Sequence, residues 1–262
     1  MRQPHRWSQE DLAYAMGTEQ PQISRIESNR QRPMYSTLIR ISNAFDLTPK
    51  DRARLLHLAG YETGPALPDR ESVDRVVSGV APALDRELHP VALVDDSERM
   101  WYCNTVHFRL WGKWQGFSNR ANYLASMTGQ RWVELIFNPN PAARIFPPWA
   151  SNDCEDVDEL LARQVALHWR AYYRHMDDAD LAESVSRLKR DPEFSRRWDE
   201  LEKGYGDFVY VDHITYSIRH PHLGRLKLAT WKTRLALDDR FLVVYASAAD
   251  SRTSRILDGW LA

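Results

Sequence analysis

Gln20, Gln22 and Arg25 are the side chains of this sequence with the most specific chemistry open to them. A glutamine amide can bond adenine through two hydrogen bonds, and an arginine can do the same with guanine in the major groove. Their spacing places them on one side of a helix, with Glu27 on the same side and Ser24 at its edge, while Ile23 and Ile26 fall on the other. The major groove admits a helix, so this polar face suits the reading of base edges. Ser28, Arg30 and Arg32 follow it and Gln9 lies ahead of it. These suit phosphate contacts, which position a protein on a duplex without carrying sequence information.

Two helices and a turn must hold that face. Over Gln9 to Met16 the apolar Leu12, Ala13 and Met16 recur at helical spacing, and Ser8 is a good N-cap with acids in the turn after it. Gly17 stands where the chain must turn sharply, since glycine enters the left-handed region at no steric cost. A second helix opens near Gln20 and runs to about Ser28, with Pro21 tolerated in its first turn, where an N–H would have no intrahelical partner. The spacing therefore predicts a helix-turn-helix. An ordinary amphipathic helix would also contain ISRIE, but it leaves the Gly17 turn and the polar outer face unexplained. Tyr35 to Phe45 places Leu38, Ile41 and Phe45 on one face, and Thr48, Pro49 and Asp51 open a further helix that Gly60 stops. Residues 1–60 hold nine Lys and Arg against six Asp and Glu, a modest basic excess in a chain of net charge −1, so non-specific attraction to nucleic acid should be weak.

The stretch SQEDLAYAMGTEQPQISRIESNRQRP resembles the Cro/C1-type (XRE) helix-turn-helix family of phage and bacterial repressors, over about residues 7–60. By that resemblance Gln20, Pro21, Gln22 and Arg25 match base-facing positions, and Gln9, Ser28 and Arg32 match phosphate-contacting ones. Most members carry a full helix before the equivalent of Trp7, whereas six residues precede it here, which leaves open whether Met1 is the native start. Glu19 and Pro21 replace the Ser and Thr common at those positions. Double-stranded DNA is the expected partner. Because one such motif reads few base pairs, a homodimer on a two-fold symmetric operator is expected with it.

Residues 61–71 (YETGPALPDRE) place Gly64, Pro65 and Pro68 in quick succession and read as a linker between domains 1–60 and 72–262. Beyond it lie nine of the ten tryptophans, which marks a second core of different make-up. Ser72 to Leu88 suits a helix, and residues 91–95 and 100–103 flank the turn-like DSER as a β-hairpin. Asn104 starts a helix ending near Gly112, followed by a loop. Arg131 to Phe137 is a short helix or strand, and NPNPAARIFPPW is irregular. Residues 154–176 form the longest amphipathic helix, two further helices follow, and the chain closes with three strand candidates over residues 207–220, 223–236 and 240–248. This predicts an α+β chain: an N-terminal all-α domain, then an antiparallel-sheet domain with helices to one side. The large aromatics Trp101, Phe108, Trp111, Trp114, Trp132, Phe137 and Trp149 suit either a pocket or an ordinary core. Asn104, at a strand-to-helix junction, suits either a ligand's polar head or a helix cap.

This second domain resembles a PAS fold. PVALVDDSERMWYCNTVHFRLWG, RDPEFSRRW and RHPHLGRLKL, in that order, resemble the ligand-binding domain of MmyB-type transcription regulators, which follows an XRE domain. The resemblance spans about residues 72–262 and implies a PAS-like sensor for a small apolar ligand such as a fatty acid, held among Trp101, Asn104, Phe108, Trp111, Trp114, Trp132, Phe137 and Trp149. A chain of about a dozen carbons would bind tightly through burial of its methylenes.

Several classes of chemistry find no support. Cys103 and Cys154 are far apart and outside any CxxC, which favours neither a disulfide framework nor zinc. His220 and His222 flank Pro221, which indicates a turn, and no third ligand stands at a recognised spacing, so no metal is expected. The familiar catalytic signatures G-x-S-x-G, P-loop, G-x-G-x-x-G and H-E-x-x-H are missing, so an enzyme is not expected. No apolar run approaches a membrane span and Met1 to Arg6 is not a signal peptide, so a cytoplasmic protein without membrane contact is expected.

Overall fold

The structure is a computed structural model and describes residues 7–59, 61, 66–138, 156–175, 178–201 and 213–261. Two compact units divide the chain, one over residues 1–64 and 173–177 and the other over 65–172 and 178–262.

In the first unit, α1 (Gln9–Met16) opens on a reciprocal cap: the Asp11 backbone N–H donates to Ser8 Oγ at 3.1 Å, and the Ser8 N–H donates to the Asp11 carboxylate at 2.9 Å. It stops at Gly17, whose φ of 61° is the left-handed turn expected there. Next comes α2 (Gln20–Glu27) with Pro21 in its first turn, closed by Asn29 at φ 56°, a conformation that asparagine tolerates better than most residues. Leu12, Ala13, Met16 and Ile23 bury one shared cluster with Ile41 and Ala44 against it. The bundle is completed by α3 (Tyr35–Ala44) and α4 (Pro49–Leu58), the latter capped by Thr48, whose Oγ1 accepts from Asp51 N. Phe45 does not join the buried face with Leu38. It lies 40% exposed, edge-on to the Trp7 ring at 5.3 Å.

The second unit begins with α5 (Arg70–Leu84), capped by Asp69. The hairpin follows as β1 (Val91–Asp95) and β2 (Met100–Cys103), and with β3 (His213–His220), β4 (Gly224–Arg234) and β5 (Phe241–Ala248) it forms one antiparallel sheet in the order β2-β1-β5-β4-β3. The last three strands form the meander that their alternation predicts. Asp95 shapes the hairpin turn: its carboxylate accepts from Ser97 N, Ser97 Oγ, Arg99 N and Trp101 Nε1, and this holds Glu98 at a left-handed φ of 66°.

Each face of the sheet meets different helices. On one, Val91, Leu93, Phe241 and Val243 pack against Val73, Val76 and Leu84 of α5. On the other, Ala92 and Met100 pack under α6 (Thr105–His107) and the π turn Phe108–Gly112 that continues it, under α7 (Arg120–Met127), and under α8 (Trp132–Ile136). Further along that face, Tyr216, Ile218, Leu226 and Leu228 pack on Leu160 of α9 (Val157–Arg174) and Leu257 of α12 (Ser251–Leu261). Two more helices, α10 (Ala179–Leu188) and α11 (Pro192–Glu200), occupy the DLAESVSRLKR and DPEFSRRW stretches.

Three local expectations change. The segment after Gly112 is not only loop, since α7 forms there under the Asn119 cap; its buried residues are just Tyr123 and Met127, too few for the helical period to stand out. Residues 131–137 settle as the helix α8. The chain does not close on a strand, because α12 follows β5, begun by Asp250 accepting from Thr253 N at 2.7 Å. Residues 139–149 of the NPNPAARIFPPW stretch, Trp149 among them, and Cys154 lie outside the described residues.

Candidate nucleic-acid interface and ligand cavity

With Ile23 buried in the first unit, the opposite side of α2 carries the polar residues outward. Arg25, Glu27, Ser28 and Arg30 are exposed, as is Pro21, while Gln20, Gln22 and Ser24 are half-buried. Gln9 ties the two helices together: its Oε1 accepts from Gln20 Nε2 at 2.6 Å and its Nε2 donates to Glu27 at 2.7 Å. Thr18 Oγ1 donates to Gln22 Oε1. Both glutamines on α2 are thus held in place by side-chain hydrogen bonds. Arg32 is placed differently from Arg25. Its guanidinium donates to Ala59 O at 3.0 Å and lies over the Tyr61 ring at 5.1 Å, so it also braces the end of α4.

Replacing Arg25 by alanine is expected to weaken specific binding by about 1–3 kcal/mol and relax preference at one base pair. Arg32→Ala should weaken all sequences alike. Binding measured on a randomised-site library separates the two, and unchanged sequence preference in Arg25→Ala would remove it from the groove.

In the second unit a cavity of about 120 Å³ lies between the sheet and the helices over its second face. The strand register explains its floor. Ala92 and Lys232 both stand opposite Val244, and Thr230 stands opposite both Ala246 and Ile214, so these residues share one face across four strands. Trp111, Gln115 and Trp132 wall it from the segment after β2, and Leu160, Arg163, Gln164 and Leu167 from α9. By comparison, an apolar cavity of about 150 Å³ takes a benzene ring.

The wall is mostly apolar but carries a defined polar set. Lys232 Nζ lies 2.5 Å from Glu98 Oε2, with side chains 9% and 17% exposed, so the charges neutralise each other in place. His107 is buried with its Nε2 3.3 Å from the Tyr123 hydroxyl, and burial pushes its pKa down to about 3, leaving the ring neutral. Gln115 differs from these: its side-chain Nε2 and Oε1 are both buried and neither has a hydrogen-bond partner among the described residues. Each such atom left unpaired costs about 1–3 kcal/mol.

Of the residues singled out in the sequence, Trp111 and Trp132 line this cavity. Trp114 packs beside it, edge-on to His220 at 4.9 Å. Phe108 lies in the cluster of Met100, Tyr123 and Met127, and Phe137 faces Phe194 at 5.7 Å. Trp101 packs with the residues of the α5 face and donates to Asp95 at 3.0 Å. Asn104 caps α6, accepting from His107 N, and spends the rest of its amide on backbone groups. His220 accepts from His222 N and Leu223 N on Nδ1 while its Nε2 faces Leu110 O, the bonding of a turn. Gln115, Arg163 and Lys232 carried no signal in the sequence, because no motif or period marks a polar residue that faces a void.

A small helical unit with a braced polar helix, followed in the chain by a sheet domain that carries a cavity, is the arrangement of a DNA-binding protein with a ligand-binding domain. Residues 1–51 match the helix-turn-helix family, and residues 76–258 match the MmyB-like transcription regulator ligand binding domain. The chain belongs to that family of transcription regulators, with an XRE-type helix-turn-helix at its N-terminus. No curated protein matches it. Among solved structures it is similar to an RNA-binding light-oxygen-voltage receptor, at 11% identity and a TM-score of 0.26, over 97% of this chain and 56% of that one. The chain therefore spans just over half the length of that receptor. No helix among the described residues is long and apolar enough to cross a membrane.

Proposed function

We propose that this regulator binds a two-fold symmetric DNA site as a homodimer and that a small, largely apolar, fatty-acid-like molecule in the sheet-domain cavity alters its DNA affinity. The observation that carries this reading is the cavity itself, floored by Ala92, Thr230, Val244 and Ala246 and walled by Trp111 and Trp132. Such a site is apolar with few convergent polar groups, as small-molecule sites generally are. Ligand binding changes DNA affinity only if the DNA-competent and incompetent states hold the ligand unequally.

Native purification followed by denaturing mass spectrometry is expected to release a retained small molecule. The ligand-free protein should then gain stability with medium- or short-chain fatty acids, by about 2.7 kcal/mol at a hundredfold excess over Kd. A chain-length series that leaves the melting temperature unmoved, with no molecule retained, would reduce the domain to a dimerisation scaffold.

A further inference from the structure

We propose that Glu27 is a positioning residue for base reading: through Gln9 it fixes which end of the Gln20 amide faces the duplex, and so selects adenine over guanine at that base pair. This rests on the reading that Gln20 meets a base edge.

A glutamine amide has nearly the same shape whichever way its oxygen and nitrogen point, so its partners decide its orientation. In the first unit three side chains pass that decision along. Gln9 opens α1, and Gln20 and Glu27 are the first and last residues of α2. Gln9 Nε2 donates to Glu27 Oε2 at 2.7 Å, and Gln9 Oε1 accepts from Gln20 Nε2 at 2.6 Å. A carboxylate only accepts, so Glu27 draws the nitrogen of Gln9 toward itself and turns the Gln9 oxygen toward Gln20. Gln20 must then answer with its nitrogen. Its carbonyl oxygen and its second N–H are left, one acceptor beside one donor. That pair matches the N6–H and N7 of adenine in the major groove. Guanine offers two acceptors, O6 and N7, and would set one of them against the Gln20 oxygen.

A donor in place of Glu27 reverses every bond. Gln9 would turn its oxygen to that donor and its nitrogen to Gln20 Oε1, leaving the Gln20 NH2 to face O6 and N7 of guanine. The charge of Glu27 supports the same role. Glu27 is exposed and lies two helical turns beyond Gln20 on the same side of α2. A negative charge there is repelled by the phosphates of any duplex, so what it contributes lies in orientation and not in attraction.

The test is selection of bound sites from random DNA by the full-length protein, read as the adenine-to-guanine affinity ratio at each position. Gln20→Ala marks the position that Gln20 reads, where the ratio should fall to near one from the roughly fivefold to hundredfold of a bidentate contact. At that position Glu27→Lys is expected to move the ratio by at least about threefold toward guanine. Taking a ratio cancels the uniform gain in affinity that an added cation brings. In a Gln9→Ala background the same exchange should leave the ratio where it stands, because the relay has been cut. Glu27→Gln keeps the shape and loses the obligatory acceptor; it should lower the adenine preference by a similar factor, and it decides the matter if the Glu27→Lys protein fails to fold. A smaller shift, or one that persists without Gln9 and so comes from direct contact by position 27, overturns the relay and leaves Gln20 as a reader. No altered position in Gln20→Ala removes that reading and this inference together.

Discussion

Alanine at Asn104 is expected to destabilise the sheet domain by roughly 3–5 kcal/mol, a large share of the 5–15 kcal/mol that holds most domains folded. The side chain is fully buried and forms a bracket between five backbone groups. Its Oδ1 accepts from Val91 N at 3.1 Å and His107 N at 2.8 Å, and its Nδ2 donates to Leu84 O at 3.3 Å, Glu87 O at 3.1 Å and His89 O at 2.8 Å. Truncation strands all of these partners in a dry interior, and each stranded group costs more than the bond it loses contributed. Asn104→Asp keeps the two acceptor contacts but sets a carboxylate among three carbonyl oxygens, so it should not rescue. The same bracket starts the segment that brings His107, Trp111 and Gln115 to the cavity, and ligand binding should weaken along with stability. Urea unfolding of the full chain reads this directly; a midpoint within about 0.5 M of the parent would mean that the bracket is dispensable.

Acid is expected to destabilise the sheet domain well above the range in which carboxylates titrate. Burial pushes the pKa values of His107 and His168 down to about 3, and burial lowers that of His220 as well. His168 is held neutral in a defined tautomer. Ser184 Oγ donates to Glu134 at 2.5 Å, so it must accept from His168 Nε2 at 3.2 Å, which leaves Nδ1 as an unprotonated nitrogen with no partner among the described residues. A proton there would sit in a dry site near Arg131, which is engaged with Glu134 and Asp180. The unfolded chain, with ordinary histidines near 6.5, takes up protons as the pH falls through that value, while the folded domain does not until about pH 3. The stabilisation is therefore whole above about pH 6.5 and lost progressively below it, by about 2 kcal/mol per histidine at pH 5. The urea midpoint should fall between pH 7 and pH 5, and fall less in His168→Gln. Equal midpoints at the two pH values would contradict the neutral assignment.

The helix-turn-helix was legible residue by residue, because everything that makes it is local. Ser8 caps, Gly17 turns, Pro21 fits a first turn, and the Ile23 side of α2 is told from the Arg25 side by helical period alone. The hairpin and the three-strand meander were legible for the same reason, as alternation punctuated by turn residues. The helices α7 and α12 were not: α7 turns only Tyr123 and Met127 fully inward, and α12 is placed by the surface it meets, Leu257 with Ile256 and Trp260 beside it packing on the cluster of Leu226 and Leu228.

The ligand site divides along the same line. Sequence alone determined that residues 101–137 are rich in aromatics and that these would be largely buried; it did not determine which of them face a void. That depended on how the two layers meet. Trp101 went to the α5 face, Phe108 and Phe137 were absorbed into solid core, and only Trp111 and Trp132 reached the cavity. The polar half of the lining, Glu98, Gln115, Arg163 and Lys232, comes from a hairpin turn, a post-helical loop, a helix and a strand up to 134 residues apart in the chain. Periodicity reports which side of one element turns inward. Whether that side meets close packing or a space of about 120 Å³ is decided by the facing layer, which no single element encodes.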